Sequence, residues 1–206
     1  AFHVECRLAS LSETGNADRP NWTMQILGDR RIVSASDLND RLACRHLLFL
    51  NLQKALGELD EEPAPSATGE LLARKGDEHE NAYLESLKAE GKNVVELTGP
   101  KDRGIEALEA AAAETAEAMK AGPEVIFQAT FFDGQRRGHT DFLFRVGRPS
   151  DQGDFSYEVA DTKLARSWKP YFIVQLCFYS ELLQKVQGGD PPEHIHVIVG
   201  TREQQT

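Results

Sequence analysis

Charged residues stand in the middle of segments that otherwise read as buried β-strands, and this limits the fold and chemistry of the chain more than any other feature. In the run from Phe155 to Lys163, a period of two places Val159, Asp161 and Lys163 on one face and Glu158 with Ala160 on the other. In the run from Gln135 to Val146, the same period puts His139, Asp141 and Leu143 together, with Thr140 and Phe142 opposite. Aspartate is disfavoured mid-strand. Burying such charges costs several kcal/mol unless they are paired or bind a metal. The strands therefore belong to a sheet with a polar site built into it.

The surrounding pattern is that of an α/β domain. The 206 residues suit about one domain. Residues 1–30 show no sustained period and form an unassigned lead, so the expected single domain spans 31–206. Ser34 and Asp37 are spaced like a capping box, and Leu38, Leu42, Leu48, Leu52 and Leu56 follow, which predicts one buried helix up to Gly57. The Asp, Glu and Pro residues between 58 and 68 read as a loop. A second helix is predicted from Thr68 to Glu90, a short strand from Asn93 to Leu97, and an alanine-rich helix from Lys101 to Lys120 closed by Gly122 and Pro123. Strand-like runs from Glu124 to Phe132 and Gln135 to Val146 flank Asp133-Gly134, a hairpin dipeptide. The strand ending at Lys163, a helix capped at Ser167 and running from Pro170 to Gln187, and a last strand from His194 to Val199 complete the order. The expected architecture is a central mixed sheet flanked by helices.

Two aspartates and a lysine in this register point to phosphodiester hydrolysis. Asp141 and Asp161 are hard oxygen ligands for magnesium or manganese, and such an ion polarises a phosphate and acidifies a bound water. Lys163 would orient that water or stabilise developing charge. On the second helix Leu72, Gly76, His79, Tyr83 and Leu87 share a face that puts the histidine in an inward stripe. On the last long helix Tyr171, Gln175 and Tyr179 stand at i, i+4 and i+8 as a polar stripe.

As an ordered set, His79 in GDEHE, Asp141 in GHTD, Asp161 and Lys163 in EVADTKL, and Gln175 with Tyr179 in QLCFY resemble the RecB-type PD-(D/E)XK nucleases over roughly residues 32–200. The resemblance implies a core of helix, three strands, helix and strand. It implies that His79, Asp141 and Asp161 bind the metal, that Lys163 is catalytic, and that Gln175 and Tyr179 contact the site or the DNA, with Arg166 beside them. It also implies DNA, single-stranded or at duplex ends, as substrate, and a helicase domain or subunit as partner in repair or recombination. The missing initiator methionine and the stop soon after a strand read as a domain excised from a longer protein. Some members carry an iron–sulfur cluster with one cysteine before the core and three after it. Cys44 stands where the first belongs, but no cysteine follows Cys177, so no cluster is expected in this chain and Cys44 is read as a core thiol.

Plainer readings apply elsewhere. His139 reads as an exposed strand residue, Glu158 as structural, and His194 with His196 as a pair lacking a carboxylate on their own strand face. Three widely spaced cysteines encode neither a disulfide framework nor a zinc site. With no apolar run of about 18 residues and no secretion-signal order, the chain is read as cytoplasmic, without a membrane role. The net charge of −10 argues against indiscriminate polyanion binding. The segment 134–170 nevertheless holds seven bases (Arg136, Arg137, Arg145, Arg148, Lys163, Arg166 and Lys169) against five acids (Asp141, Asp151, Asp154, Glu158 and Asp161). Two other functions fit the pattern: a catalytically inactive nuclease-fold module that holds DNA or a helicase, and a phosphoesterase for small nucleotides. The intact Asp141, Asp161 and Lys163 set argues against the first.

Overall fold

The computed structural model describes residues 24–59, 66–102, 104–165 and 167–200. Its strands are β1 (Gln25–Leu27), β2 (Arg30–Ile32), β3 (Val94–Glu96), β4 (Val125–Phe132), β5 (Arg137–Val146), β6 (Ser156–Lys163) and β7 (His196–Val199). Its helices are α1 (Ala35–Ala43), α2 (Arg45–Ala55), α3 (Ala67–Ala89), α4 (Ile105–Ala121) and α5 (Pro170–Gln187). Five strands form one mixed sheet in the order β3-β4-β5-β6-β7. The outer pairs are parallel and the two inner pairs antiparallel. The parallel pairs need crossovers, which α4 and α5 supply.

Strand alternation divides the apolar side chains between two clusters. Ile126, Leu143, Tyr157 and Val159 meet Met119 of α4 and Leu176 and Leu183 of α5. Val125, Phe127, Phe142 and Ala160 meet Leu84 and Leu87 of α3 on the opposite face. Tyr83 of α3 stands edge-on to Phe142, with ring centroids 5.3 Å apart. The protein is thus α/β, with helices on both faces of a mixed sheet.

Local signals account for most boundaries. Ser66 caps α3 by accepting from Gly69 N at 3.0 Å, and α4 ends on Gly122 at φ +71°, a left-handed conformation that glycine adopts freely. The β4–β5 turn lies one residue later than the Asp-Gly pair suggests. Asp133 N donates to Arg136 O at 3.1 Å, so Gly134, at φ +93°, and Gln135 are the central pair. At α5 the N-cap is Lys169 rather than Ser167.

The single buried helix expected after Ser34 is two helices, broken at Cys44, whose backbone is extended. The step of six between Leu42 and Leu48 is out of phase with a 3.6-residue turn, and Leu38, Leu42 and Leu56 are exposed, Leu42 by 67%. Cys44 is correspondingly half-buried rather than a core thiol. The lead expected to run to residue 30 is already structured from Met24: β1 pairs antiparallel with β2, and Met24 N donates to the buried carboxylate of Asp37 at 2.7 Å. Residues 1–23 lie outside the described residues. Among the described residues no helix is long and apolar enough to cross a membrane.

Candidate functional site

The site forms where the β5–β6 ladder stops. The pairing ends at Phe142↔Ala160, and the next position brings Asp141 opposite Asp161. Their carboxylates take over bonds that backbone carbonyls would otherwise accept. Asp141 N donates to Asp161 Oδ1 at 3.1 Å. Thr162 donates to Asp141 Oδ2 from both its backbone N and its hydroxyl, each at 2.8 Å. The Thr140 hydroxyl lies 3.0 Å from Ala160 O and 3.2 Å from Asp161 Oδ1. Lys163 Nζ donates to Asp161 Oδ2 at 3.0 Å and stands 5.6 Å over the Phe172 ring.

Burial sets the electrostatics. Asp161 is 1% exposed; burial, reinforced by the charge of Asp141, pushes its carboxyl up to about 6 against the pull of Lys163. Burial works against the Lys163 charge too, but Asp161, Asp141 and Glu80 together raise it above its ordinary value. The lysine is therefore an ammonium at neutral pH and cannot serve as a general base.

Glu80 is the residue that sequence reasoning missed. It is buried on α3 beside His79, and the Gln128 amide donates to its carboxylate. The stripe Leu72, Gly76, His79, Tyr83 and Leu87 hid it. Leu72 is exposed, while Glu80, Leu84 and Leu87 are the buried residues of α3, so the inward face is turned about one residue from the one drawn through Leu72. The 3.6-residue period, anchored on Leu84 and Leu87, would have exposed the acid. His79 stays near this face, and its Nε2 is buried with no hydrogen-bond partner among the described residues.

Of the other residues singled out, Gln175 and Tyr179 are buried on α5 and bond to each other, Gln175 Nε2 donating to Tyr179 Oη at 3.0 Å. Tyr179 lies against Gly138, where an added Cβ would come within 2.8 Å of its ring. Arg166 lies outside the described residues. His139 is half-buried beside Thr130, Nδ1 to Oγ1 at 3.1 Å, rather than exposed. It also leaves the face of Leu143, because alternation slips by one at Asp141: Leu143 and Gly138, of opposite parity, both face the α4/α5 cluster.

His194 and His196 do have a carboxylate. Parallel pairing of β7 with β6 brings both to buried Glu158, His194 Nδ1 at 3.2 Å and His196 Nε2 at 2.8 Å. Several bases expected to face nucleic acid are engaged in the protein itself: Arg136 with Asp133 and Glu181, Arg148 with Asp190 and Glu193, and Arg137 in the interior.

Among the described residues no three His, Cys, Asp or Glu side chains stand close enough to grip a metal ion as placed. The donor chemistry nevertheless fits one. Three carboxylates, Glu80, Asp141 and Asp161, act on a single ammonium, and a buried imidazole nitrogen has no hydrogen-bond partner. No family model, no curated protein and no solved structure matches this chain.

Proposed function

We propose that the protein is a metal-dependent deoxyribonuclease of the RecB-like PD-(D/E)XK type. The observation that carries the reading is the meeting of Asp141, Asp161 and Lys163 at the end of the β5–β6 ladder, with buried Glu80 alongside. Three acids against one base leave an excess negative charge that a divalent cation would balance.

Asp141 and Asp161 would hold magnesium or manganese, with His79 Nε2 as a nitrogen donor. The bound ion supplies Lewis acidity toward a phosphate oxygen and a water acidified for attack. Lys163 now shares Asp161 Oδ2; sharing that oxygen with a cation would free its ammonium to stabilise negative charge on the scissile phosphate. Thr140 and Thr162 hold both carboxylates in place, so their orientation is set before substrate arrives. Gln175 and Tyr179, bonded to each other on α5 with Tyr179 against Gly138, would support the strand that carries Asp141, Arg166 would contact the DNA strand, and a helicase would deliver unwound strands for repair or recombination.

The test is incubation of end-labelled single- and double-stranded DNA, linear and circular, with manganese or magnesium. Cleavage by wild type that disappears in EDTA and in folded Asp141→Ala and Asp161→Ala supports the reading. Cleavage that persists in either variant, or in excess chelator, refutes it.

A further inference from the structure

Gln128 is the only non-glycine with a positive φ, 62°, among the described residues. That conformation is unfavourable for a side-chain-bearing L-residue, and such outliers gather at functional sites. Its location makes it informative. Phe127 pairs with Phe142 and Ala129 with Thr140, which leaves Gln128 facing Asp141 with no ladder pairing between them.

Strand alternation reverses at this point. Ile126 faces the α4/α5 cluster, and so do Ala129 and Phe131, although their parity is opposite. The twist therefore breaks the sheet beside the aspartate, and the Gln128 side chain crosses to donate to Glu80 of α3. Glycine would suit this backbone better, so the amide gives a reason for glutamine.

We propose that Gln128 is a positioning residue. Its left-handed backbone opens the β4–β5 ladder at Asp141, and its amide holds Glu80 toward Asp141, Asp161 and Lys163, so that Glu80 completes the cation-binding set. The inference rests on the metal reading above and adds a residue on a strand and a function for Glu80 that the motif set does not contain.

The test uses the full chain as wild type, Gln128→Gly, Glu80→Ala and the double variant. Gln128→Gly keeps the backbone conformation and deletes the amide arm, so without metal it should still fold and unfold in one cooperative transition. In calorimetric titration with manganese chloride alone it should bind at least tenfold more weakly than wild type. The double variant should bind no more weakly than Glu80→Ala, because both changes remove one linked element. Gln128→Gly binding manganese as tightly as wild type, or adding a further tenfold loss to Glu80→Ala, would overturn the proposal. Wild type that binds no manganese would instead overturn the metal reading on which it rests.

Discussion

The buried carboxyl of Asp161 predicts a pH dependence whose sign is unusual for an aspartate beside a lysine. Its pKa stands at about 6 against a reference of 3.8, with burial and Asp141 outweighing Lys163. The folded state thus holds this proton more tightly than the unfolded chain, and the stability it contributes is full below about pH 4 and lost as pH rises through about 6. A difference of about 2 units corresponds to about 3 kcal/mol at 1.36 kcal/mol per unit. For a chain of this length that is about 6 to 12 °C in melting temperature. The assay is urea unfolding of wild type and Asp161→Asn, in EDTA, across this pH range. Subtracting the variant's curve removes the titration of groups distant from the site and leaves that of Asp161 together with its coupling to Asp141 and Lys163. Wild type should lose about 2 kcal/mol of this relative to Asp161→Asn between about pH 4 and pH 7, and saturating manganese should suppress that loss by pairing the ionised acid. A flat difference curve, or one in which wild type gains with rising pH, would show that the Lys163 ion pair outweighs burial and Asp141.

Three further outcomes are expected. Lys163→Ala should bind manganese at least as tightly as wild type, because a like charge leaves Asp161, yet lose cleavage by about two orders of magnitude or more; calorimetry and single-turnover cleavage separate the two, and normal turnover would contradict the assignment. His79→Ala should raise the manganese concentration needed for half-maximal cleavage by about tenfold or more, since manganese accepts nitrogen ligands more readily than magnesium does. His139→Ala and His194→Ala should leave it unchanged; equal metal requirements in wild type and His79→Ala would make that histidine a packed residue only. Gly138→Ala should destabilise by about 1–3 kcal/mol in denaturant unfolding, because its Cβ would come within 2.8 Å of the Tyr179 ring and 3.1 Å of Leu182.

Sequence alone was enough for elements governed by local rules. The boundaries of α3, α4 and β4 through β6 follow from caps, glycine stops and period-two runs; the structure agrees within two residues except at the start of α4, which lies at Ile105 rather than Lys101. Asp141, Asp161 and Lys163 were legible for the same reason, since charge inside an apolar strand is visible without coordinates. The helix after Ser34 misled because leucine spacing reports a possible face but not whether anything covers it.

Tertiary structure decided whatever depends on more than one segment. Glu80 enters the site because α3 packs through Leu84 and Leu87 against Phe127 and Phe142; the helical period offers that face and the one through Leu72 alike, and only the packing chooses between them. Glu158 meets His194 and His196 only because β6 and β7 lie parallel in one register. The reversal at Gln128 on β4 is matched by the slip opposite it at Asp141 on β5, which undoes the period-two rule that assigned His139 to the face of Leu143. Periodicity describes an unbroken backbone, and a single left-handed residue, whose strain must be offset by contacts elsewhere in the fold, leaves no mark in the pattern of side chains.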